Sequence, residues 1–277
     1  LDLQVLSSPH WYVSPTGDNG NDGWTPETPM GTLAGVMEKV TAGDIVHAAA
    51  GFYTNDYAIA SGWTLKSRVV VPEKVTLVAD EGPEKTFIVG EEDKTDSKIA
   101  AKGNCGPNAM QCVFLNNYSK LNGFTVCGGR TDGGGDDGAN HSGGGVFVLS
   151  GGSSSYCGIV ENCIISNNWG RSGAATYRGK IIGCQILENH GYSSNPAGRY
   201  SNLYGCYIDR NYGMPTYQIY YALENCTFGP DNLSASGTRS TGLTVCSGPQ
   251  GGAVAKNCVF MDRISKDMVN KTVVVAT

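Results

Sequence analysis

Apolar and polar positions between Leu121 and Phe260 fall into one short phrase that keeps returning: VENCIISNN (160–168), IIGCQILEN (181–189), LYGCYIDRN (203–211), LENCTFGPD (223–231) and AKNCVFMDR (255–263). Each copy reads apolar, any residue, Asn or Gly, Cys, any residue, Ile or Phe. From Cys163 to Cys184, Cys206 and Cys226 the steps are 21, 22 and 20 residues; the step to Cys258 is 32, one period plus an insertion. A fixed period of this length marks a solenoid. The unit has no 3.6-residue spacing and no Leu-dominated consensus, so it reads as strand rather than as helix or leucine-rich repeat. Alternation turns Cys163 and Ile165 to one face, and the apolar residue three before each Cys (Val160, Ile181, Leu203, Leu223, Ala255) opens the same inward row beyond a turn. Asn or Gly before the Cys suits a corner of positive φ.

Strands stacked about 4.8 Å apart bring equivalent side chains into ladders. The phrase predicts three: Cys163/184/206/226/258, Ile165/Ile186/Ile208/Phe228/Phe260 and Asn168/Asn189/Asn211/Asp231. The architecture predicted is a single-stranded, right-handed parallel β-helix, all-β, in one domain over 1–277. Residues 1–54 form an amino-terminal cap and opening coil, 55–263 the coils with a Gly-rich insert at 127–145, and 264–277 a terminal strand.

The opening segment, WYVSPTGDNGNDGWTPETPMGTLAGVMEKVTAGDIVHAAAGFYT (Trp11–Thr54), reads as a strand at 11–14, a Gly/Asp/Asn turn cluster, and Thr32 as N-cap of a short helix over 33–40. An amphipathic helix carrying Leu33, Val36, Met37 and Val40 can plug the open end of such a core. IVHAAAG then supplies the first buried strand. VPEKVTLVAD reads as two half-buried strands joined at 72–74, and KTFIVG as another. The opening segment resembles that of secreted bacterial parallel β-helix proteins, among them one group of pectate lyases and many large surface proteins. LNGFTVCGG and the phrase after it are similar to the repeats of polymorphic outer-membrane-type β-helix proteins. The resemblance covers most of the chain and implies the fold; catalysts and passive stalks share it.

Composition narrows the remaining choices. A formal charge of −5 argues against nucleic acid as the main partner, and no apolar run is long enough to insert in a membrane. Leu1 opens without a basic region, so no signal peptide is read. Of ten cysteines, five recur at the repeat position, where a small thiol packs a narrow core. Cys105 and Cys112 bracket a loop and are expected to form a disulfide; Cys127, Cys157 and Cys246 stay unassigned. No Cys/His set has zinc spacing, and His10, His47, His141 and His190 are scattered, so no Ser-His-Asp or Cys-His arrangement stands out. Charges at Glu91, Glu92, Asp93, Lys94 and Asp96 read as a solvated loop. In the insert, Asp132, Asp136 and Asp137, with His141, can gather a calcium ion, or the segment is a plain excursion between coils.

A filled β-helix leaves chemistry to its outward rows. Alternation before each Cys predicts a flat patch of Arg178, Lys180, Tyr200, Tyr204, Tyr220, Glu161 and Glu224. Aromatic rings there meet sugar faces and cations meet uronate carboxylates. What the resemblance implies is β-elimination: lyases of this fold take the proton beside the uronate carboxylate with a Lys or Arg, often aided by calcium. Lys180, Arg178 and Tyr200 are the candidate catalytic set, two neighbouring cations each favouring the other's neutral form. A second row of Trp169, His190 and Tyr212, with Arg171 and Tyr192 two residues on, is either a strip for glycan or a row of rings folded under loops. A glycoside hydrolase would instead need converging carboxylates, for which Glu188 and Asp209 share a corner in adjacent coils. Two readings stay open: an extracellular or surface-exposed bacterial module that binds or cleaves an acidic polysaccharide, and a non-catalytic adhesin segment or spacer. In both, the chain is expected to belong to a larger secreted or surface-attached protein.

Overall fold

The computed structural model describes residues 9–95, 102–134, 138–149, 157–192, 196–213, 220–229, 233–234 and 254–260. Each turn of the chain adds one strand to each of several parallel sheets, and the result is a parallel β-helix. The first sheet has nine strands: His10–Val13, Ile45–Ala48, Thr76–Ala79, Lys120–Asn122, Ile159–Glu161, Lys180–Ile182, Ser201–Tyr204, Tyr220–Glu224 and Val254–Lys256. A second sheet of eight strands runs from Gly51–Tyr53 through Ile164–Ser166 and Gln185–Leu187 to Val259–Phe260. The third is built on Lys66–Val71, Met110–Leu115, Val146–Val148 and Thr176–Tyr177, with Ala58–Ile59 pairing antiparallel at its edge. A short fourth sheet stacks Trp169–Gly170, His190–Gly191, Tyr212–Gly213 and Leu233–Ser234.

The register is the one the repeat predicts. Val160, Ile181, Leu203, Leu223 and Ala255 are successive partners in the first sheet. Ile165, Ile186, Ile208, Phe228 and Phe260 are successive partners in the second. Between the two rows the chain turns at Gly123, Asn162, Gly183, Gly205, Asn225 and Asn257, all with φ between 50° and 83°. Asn tolerates that left-handed conformation better than other side-chain-bearing residues, and Gly adopts it freely, which explains the pair of residue types at this position. Two further left-handed corners have no such signature: Asn167, Glu188 and Arg210 before the Asn ladder, and Lys74, Tyr118, Arg178 and Tyr200 before the first sheet.

The Asn ladder is buried from Asn168 through Asn189 to Asn211; Asp231, its expected fourth member, lies outside the described residues. Asn189 donates to the carbonyls of Ile165 and Leu187 at 2.8 and 2.9 Å, and its own oxygen accepts from the Asn168 backbone N–H at 3.0 Å. Asn211 repeats the pattern one coil on, closing a corner whose backbone groups would otherwise be orphaned. The cysteines line the core beside it, with Cys163, Cys184, Cys206 and Cys226 each at 2% exposure or less. Each donates its S–H to the carbonyl two residues before it, at 3.1 to 3.5 Å. Hydrogen bonding of the S–H toward the neighbouring thiol, then burial, hold Cys184 and Cys226 well above the ordinary thiol range.

The helix is shorter than its pattern predicts, Leu33–Met37, with Thr32 Oγ1 accepting from the Gly35 N–H at 3.0 Å. Leu33, Val36 and Met37 enter the central core and Val40 packs against it from beyond the helix end. The disulfide expected between Cys105 and Cys112 does not form: both are free and buried. Strand alternation turns Cys112 inward, where it donates to the Cys127 carbonyl at 3.1 Å, on the core side of the strand rather than in the loop. Among the described residues no helix is long and apolar enough to cross a membrane. Cys246 and the terminal strand expected at 264–277 lie outside the described residues.

The insert is in large part structural. A Cβ on Gly129 would stand 1.8 Å from the Gly144 carbonyl oxygen, so neighbouring coils touch backbone to backbone here and only glycine fits. Asn140 Oδ1 accepts from the Thr64 and Leu65 N–H groups at 3.0 and 2.9 Å, tying the insert over the outside of the third sheet. Beneath lies a second apolar cluster of Ala60, Phe114, Ala139, Phe147 and Tyr177.

Candidate functional site

The outer face of the first sheet carries two rows of side chains. One runs Lys120, Ile159, Lys180, Asn202 and Ala222; the other runs Asn122, Glu161, Ile182, Tyr204 and Glu224. Diagonal neighbours in adjacent strands are within reach of long side chains, and two such contacts form. Lys120 Nζ meets Glu161 Oε2 at 2.5 Å, and the Lys180 ammonium stands 5.2 Å from the centre of the Tyr204 ring. Lys180 is exposed, and makes no ion pair among the described residues. Burial, and then the charge of Glu224, push the Tyr204 phenol upward, keeping it a neutral hydroxyl.

Arg178 and Tyr200 do not join this face as the alternation predicts. Both sit in the left-handed corner that precedes the first sheet, with φ of 64° and 57°. Alternation cannot be carried back through that corner, because Gly179, at φ 91°, resets the direction of the chain before Lys180. The Arg178 guanidinium lies 5.2 Å over the Tyr177 ring. Tyr200 meets the same ring edge-on at 5.5 Å and receives a hydrogen bond from Arg199 at 3.0 Å. The expected patch is therefore split: Lys180, Tyr204, Glu161 and Glu224 lie on the sheet, while Arg178 and Tyr200 sit at the corner before it, both against Tyr177 of the third sheet. Tyr220 takes the register position of Ser201; its side chain lies outside the described residues.

The second predicted row does stack. Trp169, His190 and Tyr212 are successive partners in the fourth sheet, Trp169 and His190 with centroids 4.3 Å apart and planes within 6°. The outer side of the indole is covered. A Cβ on Gly103 would fall 2.1 Å from Trp169 ring atoms, so backbone rests directly on the ring, and Arg130 holds that backbone by donating to the Gly103 carbonyl at 2.9 Å. Burial, then the Arg130 charge, hold His190 below the ordinary imidazole range. Tyr192 faces the Lys102 ammonium at 5.7 Å, and Arg171 is tied through its N–H to the His141 carbonyl at 3.0 Å. Loop backbone thus rests on part of Trp169, and all three rings, Trp169, His190 and Tyr212, are half-buried.

The carboxylate arrangements divide similarly. Glu188 and Asp209 do occupy adjacent coils, but Glu188 pairs with Arg210 at 3.0 Å and Asp209 is buried. Asp132 is taken up by His141, to which it is hydrogen-bonded, and by the Gly134 N–H at 3.0 Å. Asp136 and Asp137 lie outside the described residues. Among the described residues no three His, Cys, Asp or Glu side chains converge as a metal-binding group.

One cluster escaped the sequence reading. His10 Nδ1 lies 2.8 Å from His47 Nε2, and His47 Nδ1 lies 2.7 Å from Asp80 Oδ1. The histidines that looked scattered are therefore paired at the start of the first sheet, where coils lack the cysteine phrase that reveals register later. The shared strand pattern of WYVSP and IVHAAAG was the available signal, since Tyr12 and His47 are direct partners.

No protein-family model matches the chain, and neither does any curated protein. Among solved structures, a rhamnogalacturonan lyase superposes on 91% of this chain and 62% of its own, at 14% identity and a TM-score of 0.48. Pectate lyase Pel9A superposes on 90% of this chain and 58% of its own, at 14% identity and a TM-score of 0.45. The chain thus spans about three fifths of the length of either.

Proposed function

We propose that this chain is a carbohydrate-active β-helix that binds an acidic polysaccharide along the outer face of its first sheet, outside the cell or at its surface and as part of a larger protein. The observation that carries the reading is the pair Lys180 and Tyr204. An exposed ammonium without a carboxylate partner among the described residues stands beside an aromatic ring on a rigid, flat strand surface. That combination suits a uronate, whose ring lies on the tyrosine and whose carboxylate meets the lysine. Ile159 and Ile182 supply apolar contact within the two rows.

Cleavage is the finer reading of the same face. In a β-elimination Lys180, in its neutral amine form, would take the proton from the carbon beside the uronate carboxylate. The electron pair of that C–H bond forms a C=C bond while the glycosidic C–O bond breaks, and the departing oxygen takes a proton from water. Calcium, if used, would be brought in with the substrate carboxylate.

The test is a panel of uronate polymers, with and without calcium, read by calorimetric affinity and by absorbance of the unsaturated product. Binding is expected, and is expected to fall about tenfold in both Lys180→Ala and Tyr204→Ala. Product formation abolished by Lys180→Ala would add the lyase activity. Neither binding nor product across the panel would replace the proposal with a rigid spacer or contact surface.

A further inference from the structure

The first coils hold a chain of three polar groups, on the same sheet as Lys180 but three strands or more away from it. His10 and His47 occupy outward positions of the first two strands, and Asp80 directly follows the third. A carboxylate only accepts hydrogen bonds, so the nitrogen of His47 that faces Asp80 at 2.7 Å bears the hydrogen. In the neutral ring His47 Nε2 then carries a lone pair, and His10 Nδ1, 2.8 Å away, is its donor. The ring centroids are 5.0 Å apart, so the two nitrogens point at each other rather than the rings lying face to face. Tyr12, stacked 5.1 Å from His47, braces the second ring on its strand.

A single proton therefore separates two imidazole lone pairs. If that proton moves to the other nitrogen of His10, a neutral tautomer of the same ring, both lone pairs face the gap with no change in charge. Metal–nitrogen bonds of about 2.0–2.1 Å place two imidazole nitrogens roughly 2.9 Å apart at a right angle and roughly 3.3 Å apart in a tetrahedron. The gap of 2.8 Å is thus within about half an ångström of either, and both side chains sit at the surface, where they can tilt. Asp80 is already where an outer partner belongs, accepting the hydrogen of His47 that a metal would leave in place.

We propose that His10 and His47 form a two-imidazole site for a divalent transition-metal ion, with Asp80 orienting His47 from outside. Imidazole donors favour copper, nickel and zinc over calcium and magnesium. The remaining coordination positions belong to water, consistent with the lack of any third converging ligand among the described residues. Next to His47 and Asp80 opens a cleft of about 340 Å³, lined also by Tyr12, Ser14, Thr16 and Glu27.

The experiment uses untagged, chelator-treated protein titrated with Cu²⁺, Ni²⁺, Zn²⁺ and Ca²⁺ by calorimetry, with the Cu²⁺ form examined by electron paramagnetic resonance for nitrogen couplings. One transition-metal ion per chain is expected, with nitrogen couplings and no response to Ca²⁺. His10→Ala and His47→Ala should each lower affinity at least tenfold, Asp80→Asn should lower it about tenfold at unchanged stoichiometry, and His190→Ala should leave it unchanged. Circular dichroism confirms that each variant is folded. Absence of a Cu²⁺ site in the wild-type protein, or a site that survives in both His10→Ala and His47→Ala, overturns the proposal.

Discussion

The outer faces of the first and third sheets are built by the same alternation and meet solvent in opposite ways. On the third sheet, Val70, Phe114, Phe147 and Tyr177 follow one another in register as an apolar row. Phe114 and Phe147 stack at 5.3 Å, Phe147 and Tyr177 at 5.2 Å. The segment around Ala60 and Trp63 and the insert around Ala139 close over them. On the first sheet the two outward rows carry Lys120 and Lys180, and Glu161 and Tyr204, and among the described residues no such cluster covers them. The difference teaches how a filled rod acquires a surface for a partner: one face is spent on holding the long excursions of the chain, which leaves another flat and polar.

Four changes test that division, taken from the largest effect to the smallest. Phe147→Ala removes the central ring of the covered row, 2% exposed, and is expected to cost about 3–5 kcal/mol in denaturant unfolding. A cost below about 1 kcal/mol would mean that the cover is loosely seated. Asn140→Ala leaves the Thr64 and Leu65 N–H groups without their acceptor and should cost about 1–3 kcal/mol, with faster hydrogen exchange at those two amides. On the open face, Tyr204→Ala should change stability little and lower affinity for a bound uronate polymer by about 1.4 kcal/mol, a factor of ten. Lys120→Ala breaks a partly exposed ion pair, with side chains 33% and 22% exposed, and is expected to cost less than about 1 kcal/mol. That small cost should shrink further at high salt, which a melt in added sodium chloride would show.

Much of the rod is legible from its residues. The inward rows follow from strand alternation, and the corner at Asn162, Gly183 and Gly205 follows from the need for positive φ, for which Asn and Gly are the usual residues. The other two corners are silent in sequence. Glu188, Arg210, Arg178 and Tyr200 take up the same conformation although nothing in their chemistry asks for it; the hydrogen-bonded Asn ladder and the stacked sheets impose it. That silence misplaced Arg178 and Tyr200, because alternation was extended through a turn that no residue type announces except Gly179. The third sheet was obscured for a different reason. Its outer residues are apolar like its inner ones, so the run MQCVFL gives no alternation to read. His10, His47 and Asp80 are 37 and 33 residues apart, spacings outside the later period, and only the pairing of the first coils brings them together.

The stacked sulfurs of Cys163, Cys184 and Cys206 give the molecule a built-in gauge. Each is sealed between two turns with its hydrogen engaged by a backbone carbonyl, so an alkylating reagent reaches it only when those turns part. The rate at which each sulfur is capped under native conditions therefore measures how often the rod unzips at that height, and a profile of such rates along the axis would show from which end it frays.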